Sequence, residues 1–103
     1  MKLDTLSKKI EKFIFMEPFH LGYGCKIIIR RMHARDICGG KHLPERIILS
    51  WIKNLQKEDH REAIRDWKEC KKINLILQKS KPGEMEVSIN PRLRWLVEEL
   101  VKK

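Results

Sequence analysis

Four cations, Arg61, Arg65, Lys68 and Lys72, recur at i, i+4, i+7 and i+11, the spacing that lines side chains along one narrow strip of a helix. A strip of guanidinium and ammonium groups does the chemistry of anion recognition. Each group donates charge-assisted hydrogen bonds to phosphate or carboxylate oxygens, and an arginine fork can do so through two parallel bonds. Beside it Glu62, Asp66 and Glu69 form an acidic strip within i,i+3 and i,i+4 reach, Glu62 of Arg65 and Glu69 of Arg65 or Lys72. The same residues therefore also fit an ion-paired, solvated helix surface. The continuation favours the first reading, because two further lysines, Lys79 and Lys81, follow at a turn signal.

A different chemistry would need His20, Cys25, Cys38 and His42, whose two thiols and two imidazoles suffice in number for a closed tetrahedral zinc site. Their separations, four residues between His20 and Cys25 and three between Cys38 and His42, lack the paired-cysteine signature, so no metal or other cofactor is expected. His33 and Cys38, at i and i+5, do not share a helix face, and no third group orients them as base and nucleophile. Glu98 and Glu99 read as surface charges without the spacing that would set two carboxylates over a substrate. No catalytic residue stands out, and an enzyme is not expected. Gly22, Tyr23 and Gly24 lack both a Walker pattern and a preceding strand, which argues against a phosphate loop.

The elements that must position these residues follow from periodicity and punctuation. Asp59 followed three residues later by Glu62 is a capping-box pattern, opening a helix over about 60–72 in which Ala63, Ile64, Trp67 and Cys70 form the core-facing stripe. Beyond Ile73 the period becomes that of strands, and a hairpin over about 74–89 turns at Pro82 and Gly83, residues suited to the centre of a type II turn. Such a turn is not the usual tight-hairpin choice, which points to a tip longer than two residues. Upstream, Pro44 is placed as the first residue of a helix over about 44–56, with Ile47, Ile48, Trp51, Ile52 and Leu55 on a wide apolar face. Residues 56–59 join it to the basic helix as a helix-turn-helix, though the turn lacks the usual glycine.

At the start, Asp4 caps a helix over about 5–16, with Leu6, Ile10, Phe13 and Ile14 on one face; Phe15 and Met16 widen it, which suits either deep burial or contact with a second copy. Residues 17–25 read as a loop. The β-branched run at Ile27, Ile28 and Ile29 fits a strand to about Arg31 followed by a short helix over 33–38, our preferred reading; it also fits one helix continuing to Ile37. Asn90 and Pro91 cap a last helix over about 91–102, where Leu93, Leu96, Val97, Leu100 and Val101 keep an unbroken stripe suited to packing on the domain or on a partner chain.

With 103 residues, 42% hydrophobic and 36% charged, the chain has the length and composition of one globular domain, 1–103. Its net charge of +9 makes a polyanion the expected partner. No apolar run is long enough for a membrane span, the N-terminus lacks the features of a secretory signal, and three cysteines without a disulfide spacing read as reduced thiols. A cytoplasmic protein is expected. Abundant Lys, Arg and Glu with few Asn and Gln make the composition thermophile-like.

The order of elements from 44 to 103, above all Ala63 to Trp67, Ile73 to Ile76 and the hairpin behind them, resembles the recognition helix and wing of winged helix-turn-helix transcription regulators of the prokaryotic and archaeal type. The resemblance implies an α+β, mostly helical fold, a winged helix-turn-helix with a β-hairpin wing and a C-terminal helix. It implies sequence-specific binding of double-stranded DNA, transcriptional regulation, and a homodimer formed through the N- and C-terminal helices, its two wings about one DNA turn apart. Arg61 and Arg65, near the helix start and able to grip guanine through two bonds, are then the expected base readers, and Lys68, Lys72, Lys79 and Lys81 the phosphate contacts. Arg30, Arg31 and Arg35 would extend the footprint if their segment lay beside the helix. The alternative is a winged helix used as a protein-interaction module, or as an RNA-binding protein, within a nucleic-acid-processing complex. Against RNA, the few aromatics form no paired strand signature.

Overall fold

The computed structural model of the chain describes residues 21–102. In order, the elements are α1 (Tyr23–Ala34), β1 (Leu43–Pro44), α2 (Glu45–Lys53), a 3₁₀ turn (Lys57–Asp59), α3 (His60–Lys72), β2 (Ile76–Lys81), β3 (Glu84–Ile89), a second 3₁₀ turn (Pro91–Leu93) and α4 (Arg94–Lys102). The three strands form one antiparallel sheet in the order β1-β3-β2. The result is an α+β fold with four helices and a three-stranded sheet among the described residues, compatible with a winged-helix layout. No helix among them is long and apolar enough to cross a membrane. The helix expected over 5–16 lies outside the described residues.

The isoleucine run overturns the preferred reading of a strand to Arg31 and a helix over 33–38, since Tyr23–Ala34 is one helix. Cys25, Ile28, Ile29 and Met32 recur at i, i+3, i+4 and i+7 and are all buried, so one face seals the core. That burial outweighs the modest helix penalty of β-branched side chains. The helix ends on Asp36, which takes a left-handed φ of 57°; the Ile37 amide then bonds back to the Met32 carbonyl at 3.0 Å and Ile37 turns inward. The next residues run along the end of β3, with the Ile89 amide donating to the Ile37 carbonyl (2.9 Å) and the Gly39 amide to that of Ile89 (3.0 Å).

Pro44 is not inside α2. It stands opposite Glu86 in β1 with ψ 134°, and the helix starts one residue later and stops at Lys53, short of 56. The chain enters α3 through the 3₁₀ turn, so Asp59 already has helical angles (φ −89°, ψ −12°) and makes no side-chain cap bond. The expected capping box is therefore not formed, because its geometry requires an extended residue at the cap.

Helix α3 closes as α1 does. Asn74, expected to open a strand, is instead left-handed (φ 62°), and the Leu75 amide bonds to the Cys70 carbonyl at 2.9 Å. β2 and β3 then pair from Ile76–Ile89 out to Lys81–Glu84, leaving Pro82 and Gly83 as a two-residue connection with Gly83 at φ 77°. The tip is thus tighter than expected, and the positive φ is what the glycine supplies. At the hairpin's base Asn90 accepts from the Arg92 amide through Oδ1 (3.1 Å), as expected of the cap before Pro91. It also donates through Nδ2 to the Asn74 carbonyl (2.9 Å). α4 packs on the domain through Leu96 and Val97.

Candidate nucleic-acid interface

The basic strip is mounted on a buried anchor. Trp67 is 1% exposed, and its indole N–H donates to Glu45 Oε2 at 2.8 Å. The Lys71 ammonium donates to the same oxygen at 2.7 Å. Glu45, the first residue of α2, thereby ties the middle and the end of α3 to the preceding helix. Burial alone would raise the Glu45 pKa, but hydrogen bonds from Lys71 and Trp67, with the charge of Lys71, outweigh it and hold the carboxyl below its ordinary value. On another side of α3, also at its middle, Asp66 Oδ2 accepts the Gly22 amide at 2.9 Å. A Cβ on Gly24 would lie 2.9 Å from Leu55 Cδ1 and 3.2 Å from Ala63 Cβ. The glycine lets α1 and α3 approach closely at their first turns, a packing role that its place in a loop-like sequence concealed.

Ala63, Trp67 and Cys70 face the core as expected, but Ile64 does not; it is 39% exposed. At about 100° per residue it lies roughly 90° round the helix from the mean direction of those three, too far to share their pocket.

Arg61, Arg65, Lys68 and Lys72 are all exposed. Arg65 has two loose carboxylate neighbours, Glu62 at 3.8 Å and Asp66 at 3.8 Å, with its own side chain 69% exposed. Pairs this long and this solvated hold little energy. Arg61, Lys68 and Lys72 make no ion pair among the described residues. On the hairpin the two lysines separate. Lys81 bonds Glu86 at 3.0 Å, while Lys79, opposite Glu86 in the register, is exposed and makes no ion pair among the described residues. Glu84 accepts Arg46 Nε at 2.7 Å, which steadies the tip.

The arginines of α1 are engaged elsewhere. Arg30 Nη2 donates to the Val101 carbonyl of α4 at 2.9 Å, and Arg31 and Arg35 stack over the Trp51 ring of α2 with Cζ 4.9 Å and 5.2 Å from its centroid. They turn to α4 and α2, and the condition for extending the α3 strip is not met by their side chains. Of the four residues weighed for zinc, His20 lies outside the described residues, Cys25 is fully buried, Cys38 sits against the end of β3, and His42 Nδ1 is 3.9 Å from Glu86. Among the described residues no three candidate ligands converge. Cys70 meets Cys25 in the core, and the hydrogen bond between the two thiols, together with burial, pushes the Cys70 thiol well above its ordinary pKa. A thiol so held is a poor nucleophile.

What the arrangement can do chemically is present three outward cations on α3 and one on the hairpin arm behind it, with a fourth α3 cation, Arg65, held loosely among them. Comparison of the chain with family models, with curated proteins and with solved structures gives no match, so what supports a function is this geometry.

Proposed function

We propose that the chain is a winged helix-turn-helix protein that binds double-stranded DNA, a cytoplasmic transcriptional regulator acting as a homodimer. The observation that carries this is the contrast on α3. Trp67 is locked beneath the helix by Glu45, while Arg61, Lys68 and Lys72 point away without carboxylate partners among the described residues, and the hairpin bearing Lys79 follows at once. A helix of ~10–12 Å diameter fits the ~12 Å major groove, so α3 can enter with this strip against base edges while the hairpin follows the backbone. Arg61 and Arg65 are the base readers in this reading. Lys68, Lys72 and Lys79 meet phosphates, and Lys81 does so once it leaves Glu86. The loose pairing of Arg65 suits exchange of its carboxylate neighbours for a base.

The test is duplex binding by the full chain at two salt concentrations, followed by selection of bound sequences. The expected result is affinity that falls steeply with salt, by about 0.9 in log–log slope per phosphate neutralised, and enrichment of a defined sequence. Salt-independent affinity, or none, would remove the proposal.

A second reading, a protein-interaction module, is favoured by Trp95, which stands 50% exposed on the outer side of α4. A monomer with weak, sequence-indifferent duplex affinity would support it. A dimer broken by Trp95→Ala would instead assign that indole to the homodimer.

A further inference from the structure

Ile64 is the apolar residue that α3 leaves in water, and its surroundings give it a use. Arg61 lies three residues before it and Lys68 four after it, both on its own side of the helix. Glu62, Asp66 and Glu69 lie on the opposite flank of the basic strip, roughly 100° per residue placing them beyond Arg65 and Lys72. A polyanion is repelled from that acidic flank, so its seat on the strip shifts toward the Ile64 side, where the nearest carboxylate, Glu45, is taken up by Lys71 and Trp67, and Ile64 then falls inside the footprint. Among the described residues the other large exposed apolar side chains, Tyr23, Leu49, Leu77 and Trp95, are on other elements, so Ile64 is the one that α3 itself sets beside its cations.

We propose that Ile64 reads a thymine. This rests on the DNA-binding reading above and deepens it. The C5 methyl of thymine is the apolar feature that distinguishes base pairs along the major-groove edge, the remaining features being hydrogen-bond donors and acceptors. A β-branched side chain suits it, because its χ1 is restricted in a helix and its methyl groups are presented without loss of further freedom. Residues three apart on a helix have Cβ atoms about 5–6 Å apart, against a rise of about 3.4 Å per base on a strand. The methyl that Ile64 covers therefore lies one to two base steps from the base that Arg61 reads. Recognition by α3 is a paired code, a hydrogen-bonded base next to a methylated pyrimidine.

The experiment replaces each thymine of a selected duplex, one at a time, by deoxyuridine, which removes the methyl and leaves the pairing edge unchanged. With the full chain, one position close to the Arg61 contact is expected to lose about 3- to 5-fold in affinity, the value of one buried methyl group. In Ile64→Ala the same uridine substitution is expected to cost nothing further, the signature of a direct pair in a double-mutant cycle. Ile64→Val, which keeps the branched methyl groups, retains the discrimination. Indifference of the unmodified chain to every uridine, or full sensitivity persisting in Ile64→Ala, would overturn the assignment while leaving salt-dependent DNA binding standing. An Ile64→Ala chain that changes its oligomeric state while the uridine response persists would also overturn it, by giving the residue to a protein contact. Absence of duplex binding altogether would remove the DNA-binding reading and this inference with it.

Discussion

Helices α1 and α3 each carry a cluster of cations, and the two clusters differ in what the rest of the fold offers them. Arg30, Arg31 and Arg35 on α1 meet a backbone carbonyl of α4 and the indole face of Trp51. Among the described residues Arg61, Lys68 and Lys72 on α3 meet nothing comparable, because the neighbours of α3 engage its other sides through Trp67, Lys71 and Asp66. A net charge of +9 thus divides into cations that hold the domain together and cations that do not. Exposed groups without a partner keep their full capacity for a ligand, whereas a guanidinium seated on an aromatic ring must give that contact up first.

The largest effect should come from reversing the α3 set. Arg61→Glu, Lys68→Glu and Lys72→Glu together are expected to lower duplex affinity at least about 100-fold near 0.1 M salt while leaving the melting temperature nearly unchanged. Fluorescence anisotropy and a thermal melt read the two quantities. A comparable loss of affinity from Arg31→Glu with Arg35→Glu would erase the distinction between the helices.

Next comes the anchor. Glu45→Gln removes the charge that Lys71 and Trp67 share and should cost about 1–3 kcal/mol in denaturant unfolding at neutral pH. The wild-type advantage has a definite pH course. A carboxyl held below its ordinary pKa in the folded chain stabilises fully above the unfolded value and loses that contribution as pH falls through the folded one. The unfolding free energies of wild type and Glu45→Gln should therefore converge in acid, and a gap that stays constant with pH would assign the stability to packing instead.

Smaller again is Trp51→Ala, expected to cost about 1–2 kcal/mol of stability through lost cation–π contacts and burial, with duplex affinity unaffected in the folded protein. Loss of affinity here would move the footprint onto α1. The smallest effect is that of Lys79→Ala, a few-fold weaker binding spread evenly over sequences and a salt slope shallower by about 1. An unchanged slope would take the hairpin out of the interface.

The legible parts of this chain were those decided locally. Arg61, Arg65, Lys68 and Lys72 declare a strip by spacing alone, Asn90 and Pro91 declare a helix start, and Pro82 with Gly83 declares a turn; each depends on neighbours within a few residues. What escaped was decided at long range. The Ile27–Ile29 run carries strand propensity and becomes helix because the rest of the core receives it. Two-residue β1 is too short for any alternation to register and contains a proline. Asp36 and Asn74 end helices in a conformation usually marked by glycine, so the stops were hidden. For the site the same division holds. The positions of the cations were readable, but which of them the fold would occupy was not, since Trp51, Val101 and Glu86 lie at least five residues away in sequence from the groups they engage. Ile64 was misread because the core stripe of α3 is narrower than a full apolar face.

One asparagine side chain has a bearing on how this surface would meet a target. Asn90 grips the carbonyl where α3 has just ended and the amide where the last helix is about to begin, so both legs of the hairpin are clasped at the root. An arm fastened at both legs does not swivel about its base; it travels with the helix it follows. On the DNA-binding proposal, Lys79 and Arg61 would then hold their spacing through these bonds, and a duplex would have to accommodate that gauge between groove and backbone instead of being wrapped by a loose flap.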